Sequence, residues 1–171
     1  SGLMIVDQQA AHERILFDKF SAQLKSKNGQ SQQSLFPQTV TLNPADFAMV
    51  LEMEQEIISM GFRFEVFGKN TLVVNGVPAL LSTGREKEIF EGLIEQFKIN
   101  QTSLAISLHE NLARALARRA AVKAGHKLAH EEMTALLDAL FGATVPNFTP
   151  WGKPTFFIFE WPKIESYFNR Q

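Results

Sequence analysis

Apolar residues recur at helical spacing over Gln8 to about Lys25, where Ala11, Ile15, Leu16, Phe20 and Leu24 fall on one face. A hydrophobic run, Leu3-Met4-Ile5-Val6, precedes this helix, and Asp7 is placed to cap its first turn through the carboxylate. The helix ends in the polar, Gly-containing breaker Lys25-Ser26-Lys27-Asn28-Gly29-Gln30-Ser31. Leu35 to Leu42 alternates like a short strand after Pro37. Asn43-Pro44-Ala45-Asp46 then starts a helix with an Asn cap and Pro at its first position, carrying Phe47, Val50, Leu51, Ile57 and Ile58 to a stop at Gly61. Phe62 to Phe67, turning at Gly68-Lys69-Asn70 into Thr71 to Val74, reads as a β-hairpin.

Three further helices are predicted: Glu86 to Lys98, about Ser107 to Ala124, and about His130 to Phe141. The second is lined by Ala113, Ala117, Ala120, Ala121 and Ala124, a small-residue face that lets another element approach closely and places this helix at a packed centre. The last strand, Thr155 to Glu160, is apolar on both faces, the pattern of a strand buried from two sides or of a sheet shared between two copies. A short helix from Pro162 to Phe168 follows. The order is that of an α+β fold, without internal repeats or low-complexity segments.

Composition narrows the chemistry. A chain of 171 residues can hold one domain or two small lobes and bury roughly two-thirds of its unfolded surface. It has no cysteine, which excludes disulfides and thiolate metal sites. A formal net charge of −1 gives no global attraction for nucleic acid, so any DNA contact is local or made elsewhere in a parent protein. No stretch reaches the length of a membrane span and no charged-then-apolar leader opens the chain, so a cytoplasmic protein is expected. There is no Gly-rich phosphate loop and no nucleophile triad.

The chemically suggestive stretch is Asp7-Gln8-Gln9-Ala10-Ala11-His12-Glu13-Arg14-Ile15-Leu16-Phe17-Asp18. Residues 9 and 13 lie four apart on one helical face, a spacing that lets two side chains converge on one ion. Downstream come Ala117-Arg118-Arg119-Ala120-Ala121-Val122-Lys123, then Thr149-Pro150-Trp151-Gly152-Lys153-Pro154-Thr155, then Phe168-Asn169-Arg170.

These four segments, in this order, resemble the motifs of the C-terminal domain of the MutL DNA mismatch-repair family. Nicking members read Asp-Gln-His-Ala-x-x-Glu-x-x-x-x-Glu in the first motif. Here Gln9 replaces the His and Asp18 the final Glu. Arg118 stands where the second motif has a metal-binding Cys, and Thr149 and Trp151 stand for the Cys and His of Cys-Pro-His-Gly-Arg-Pro-Thr. A neutral amide is a poor substitute for imidazole, and a fixed cation opposes a metal and would more naturally pair with Glu13 or Asp7. The resemblance therefore implies a degenerate endonuclease motif without a metal or catalytic residue. The alternative is a nicking enzyme with an all-carboxylate site, Mn²⁺ or Mg²⁺ held at Asp7 and Glu13 with Asp18.

The family's two lobes, carried over, make residues 1–31 and 112–171 a dimerisation lobe and residues 38–105 an external regulatory lobe. The family normally has a further strand ahead of the position of Ser1, so a shortened piece with an open sheet edge is expected. A homodimer contact is expected through Leu3, Ile5, Phe157 and Phe159. Gln32-Gln33-Ser34-Leu35-Phe36-Pro37 resembles the peptide by which MutL proteins bind the replication sliding clamp. Gln32 would hydrogen-bond at the rim of a pocket that Leu35, Phe36 and Pro37 enter, with Ser34 departing from a hydrophobic position. The mismatch-recognition protein MutS is a further partner the resemblance implies, as is an ATPase region outside this chain, in a bacterial, nucleoid-associated setting.

Other residues have plainer readings. His12 is expected as a solvated helix position, and His109, His126 and His130 as helix-end or loop residues. Arg114, Arg118, Arg119 and Lys123 form a basic stripe of the kind usually solvated or salt-bridged, and Trp151 and Trp161 pack around the final strand.

Overall fold

A computed structural model describes residues 2–81, 84–103 and 105–168. Ser1 and, within the Phe168-Asn169-Arg170 motif, Asn169 and Arg170 lie outside the described residues. The fold is mixed α+β, with two small sheets and two compact units: residues 1–15 with 121–171, and residues 16–120. The interior unit thus takes in the second half of the first helix and the Ala-lined helix.

In the discontinuous unit, β1 (Gly2–Val6) pairs antiparallel with β5 (Phe156–Glu160), placing Leu3 opposite Phe159 and Ile5 opposite Phe157. Side chains alternate across a strand, so Val6 and Phe156 share the other face. There they pack with Leu136 and Ala139 against Ala11, Ile15 and Leu140. The helix α1 (Gln8–Ser26) begins here, and α6 (His130–Phe141) and α7 (Trp161–Tyr167) complete the unit. Phe141 meets Phe156 at a centroid distance of 5.6 Å.

In the interior unit, β2 (Ser31–Thr41), β4 (Thr71–Pro78) and β3 (Arg63–Val66) form a three-stranded antiparallel sheet in the order β2-β4-β3. Leu72 and Val74 of the central strand and Val40 of β2 are buried. Phe90 of α4 (Glu86–Ser103) sits edge-on to Phe62 and Phe64 at centroid distances of 5.4 and 5.6 Å. Leu16, Phe20 and Leu24, the later part of α1's apolar face, are also buried. The predicted helix from Asn43 is two, α2 (Pro44–Glu52) and α3 (Glu54–Ser59), joined at Met53. The expected cap is present, with the Asn43 side chain accepting from the Asp46 amide at 2.8 Å.

The helix α5 (Leu108–Ala120) packs on α4 with Ala113 and Ala117 fully buried. A buried amide chain joins the two: Gln96 donates to Asn100, Asn100 to Asn111, and Asn111 to the Phe97 carbonyl, at 2.9, 2.8 and 3.1 Å. The sequence predicts this helix to run to Ala124, four residues further than it does.

Gly29 and Gly61 close the link between α1 and the sheet. A Cβ on Gly61 would lie 2.5 Å from the Gln30 carbonyl oxygen, and its φ of +106° is open to glycine alone at low cost. A Cβ on Gly29 would overlap the Ser59 carbonyl and come within 2.5 Å of the Gly61 nitrogen.

Candidate functional site

The motif helix is fixed at its start by Asp7, whose Oδ1 accepts from the amides of Gln9 and Ala10 at 2.9 and 3.0 Å. The Asp7 amide in turn donates to the Thr155 carbonyl at 2.9 Å. This is an N-cap, the use of a carboxylate that a helix start favours on electrostatic grounds as well.

Three side chains on the first turns of α1 then hold residues 122–126. Gln8 donates through Nε2 to the carbonyls of Lys123 and His126, at 3.1 and 2.7 Å. Gln9 accepts from the Ala124 amide through Oε1 at 3.1 Å, and His12 accepts from the Val122 amide through Nδ1 at 3.0 Å. His12 is half-buried, a correction to the solvated position expected from sequence. An accepting Nδ1 carries no proton, so the imidazole is neutral with its proton on Nε2. These bonds account for the early end of α5. The amides of Val122 and Ala124, which a continuing helix would turn back on its own carbonyls, are satisfied by α1 instead.

The third motif is a tight loop on the same unit. Thr149 is buried, and its Oγ1 accepts from the amides of Trp151 and Lys153 at 3.2 and 3.1 Å, while its own amide donates to the Lys153 carbonyl at 2.8 Å. Phe148 bridges Pro154, and Thr155 donates through Oγ1 to the Pro146 carbonyl. Arg14, buried next to Glu13 in α1, donates from Nε to the Phe148 carbonyl at 2.7 Å. Trp151 is half-buried.

The structure therefore brings Asp7, Gln9, Glu13, Thr149 and Trp151 into one unit. Asp18 follows Asp7 by eleven residues along α1, about three helical turns. Arg118 lies on α5 in the interior unit and is exposed. Of its neighbours in the basic stripe, Arg114 is ion-paired with Glu110 and Arg119 with Glu95, each at 2.6 Å. Gln9 and Thr149, which stand where a metal-binding member has His and Cys, spend their oxygens on backbone amides. That donor set does not fit zinc. Among the described residues no group of three His, Cys, Asp or Glu side chains is gathered as a metal would require.

On the β1–β5 face, Leu3 and Ile5 are 51% and 50% exposed, and Phe157 and Phe159 are 62% and 44% exposed. Four large apolar side chains on one side of a two-stranded sheet form a contiguous patch of the kind that marks an association surface. A two-stranded sheet is marginal by itself.

The clamp-like segment lies in β2 of the interior unit. Leu35 and Phe36 are 90% and 78% exposed and Pro37 is exposed, whereas Ser34 is buried. Gln32, expected at a partner's rim, donates its amide to the carbonyls of Pro78 and Leu81 of its own unit.

An open apolar sheet face beside a motif cluster turned over to backbone hydrogen bonding is the make-up of an α+β association domain. The chain belongs to the MutL C-terminal dimerisation domain family, whose model matches residues 1–128. It is 34% identical over 170 residues to the DNA mismatch repair protein MutL of Chloroherpeton thalassium, covering 99% of this chain and 27% of that protein. Similar proteins of the same name occur in Pelodictyon phaeoclathratiforme, 33% identical, and Chlorobium phaeobacteroides, 34% identical, each over 171 residues, 100% of this chain and 27% of the relative. The chain thus spans about a quarter of the length of the curated relatives it matches. No helix among the described residues is long and apolar enough to cross a membrane.

Proposed function

We propose that this domain pairs two copies of a longer mismatch-repair protein and gathers its partners, without nicking DNA itself. The observation that carries the reading is the β1–β5 face, where Leu3 and Ile5 stand in register with Phe159 and Phe157 and all four are half exposed or nearly so. A second copy set against this face about a two-fold axis would bury the same patch from both sides and give the marginal sheet a partner layer. Joined in this way, two ATP-dependent arms would act together.

Recruitment is assigned to Leu35 and Phe36 of β2, whose two exposed apolar side chains suit an apolar groove on the replication sliding clamp. MutS is the other partner, met through the parent protein. The absence of nicking rests on donor chemistry: Gln9 and Thr149 are committed to amides, and neither offers a thiolate or an imidazole.

Sedimentation equilibrium tests the pairing. The chain is expected to run as a dimer, and Ile5→Asp combined with Phe157→Asp as a folded monomer with an unchanged interior unit. A monomeric parent chain, or a double variant that dimerises like the parent, would overturn the assignment of this face.

A further inference from the structure

The clamp-like segment departs from its family pattern at Ser34, and the structure gives that departure a use. Between β2 and β4 the register runs Gln33 opposite Gly76 and resumes at Gln38 opposite Val74, so four residues, 34–37, stand against Asn75 alone. Within this bulge Ser34 turns inward, only 4% exposed, while Leu35 and Phe36 turn out. The Ser34 hydroxyl donates to Glu86 Oε1 at 3.1 Å, and the same oxygen accepts from the Gly84 amide at 2.9 Å. Glu86 opens α4 and is itself 4% exposed.

We propose that the Ser34–Glu86–Gly84 junction is a positioning device that presents Leu35 and Phe36 as a preformed recognition loop, so that a partner reads the folded bulge as well as its linear sequence. The proposal rests on the reading that this segment docks on the sliding clamp. An apolar side chain at 34 would face the buried carboxylate without satisfying it, which is costly. Serine satisfies it and pins the start of the bulge. The flanks are pinned as well: Gln38 donates to the Phe36 carbonyl at 3.0 Å, and Gln32 holds Pro78 and Leu81. A loop ordered before binding avoids the entropy loss that a free peptide meets on docking. With Gln32 committed inward, the amide left at the surface for a partner's rim is that of Gln33, which is exposed.

The test measures binding of a purified sliding clamp from the same organism to the whole chain and to a synthetic peptide of residues 30–39. The chain is expected to bind roughly tenfold more tightly than the peptide, the scale set by ordering one or two side chains. Ser34→Ala and Glu86→Gln in the chain should lose most of that advantage, Ser34→Thr should keep it, and Ser34→Ala in the peptide should change nothing. Equal binding by chain and peptide, or a chain indifferent to Ser34→Ala, overturns the proposal. Amide exchange at residues 35, 36 and 38 decides the junction without the clamp: faster exchange in Ser34→Ala supports it, and unchanged exchange overturns it. If neither chain nor peptide binds, or if Leu35→Ala with Phe36→Ala leaves binding intact, the clamp reading fails, and the exchange result still judges the junction.

Discussion

The amide oxygen of Gln9 accepts a hydrogen bond from the backbone of Ala124, 115 residues away in sequence. A position that the family resemblance marks as a metal ligand is here a tether between two stretches of one unit. Calorimetric titration with Mn²⁺ and Zn²⁺ is therefore expected to give no heat of binding in the chain, and none after Gln9→His alone, since Thr149 and Arg118 still supply no suitable donor. Micromolar binding that disappears in Glu13→Ala would instead revive the carboxylate site.

The same tethers predict a local effect of His12. Replacing it by Ala leaves the Val122 amide without its acceptor, at a cost of about 1 kcal/mol. Thermal melts should show a loss of that order, and amide exchange should rise across 121–126 before it rises in the interior sheet. Uniform exchange throughout the chain would contradict the assignment.

Gly61→Ala is expected to be among the more damaging single-methyl changes in the chain, on the order of 2 kcal/mol or more, because strained φ and backbone overlap act together. Gly68→Ala makes a useful contrast: its φ is also positive, at +77°, but nothing lies within 4 Å of the added carbon. Denaturant unfolding of both variants separates the overlap from the dihedral cost, and equal losses would show that overlap adds nothing.

Glu86 supplies a pH prediction. The Gly84 amide is the main influence holding its carboxyl below the usual glutamate range; burial opposes this, and the Ser34 hydroxyl assists. A folded-state pKa below the unfolded one means the ionised group's stabilisation is fully present above the unfolded value and is lost as pH falls through the folded value. Stability followed from neutral to acid pH should thus decline less steeply in Glu86→Gln than in the parent chain. Parallel curves would show that the carboxylate is not linked to folding.

How far the sequence reveals this molecule depends on the range of the interactions involved. The apolar face of α1, the Asn43-Pro44 helix start and the hairpin turning at Gly68 are written in neighbouring residues, and each forms as the pattern predicts. The end of α5 is not. Ala121, Val122, Lys123 and Ala124 contain no breaker, and the helix stops because His12 and Gln9, distant in sequence, take the next amides.

The site follows the same division. The altered identities at Gln9, Thr149 and Arg118 are visible in the chain, but the new work of Gln9 and Thr149 is visible only in the hydrogen bonds. The inward turn of Ser34 was equally hidden, since a serine among Gln32, Gln33 and Pro37 reads as a surface residue. β2 also begins earlier than its alternation suggests, because Ser31 to Gln33 are polar and are recruited by pairing with Gly76 to Pro78.

The pairing of Gly2 with Glu160 joins two strands that lie on either side of the whole interior unit in sequence. During synthesis β1 is made long before β5, and all of residues 16–120 come between them. Joining β1 to β5 requires closing a loop of about 150 residues, a step whose entropy cost grows only slowly with loop length. The β1–β5 sheet is therefore complete only when translation has passed Glu160, after every residue of the interior unit has been made.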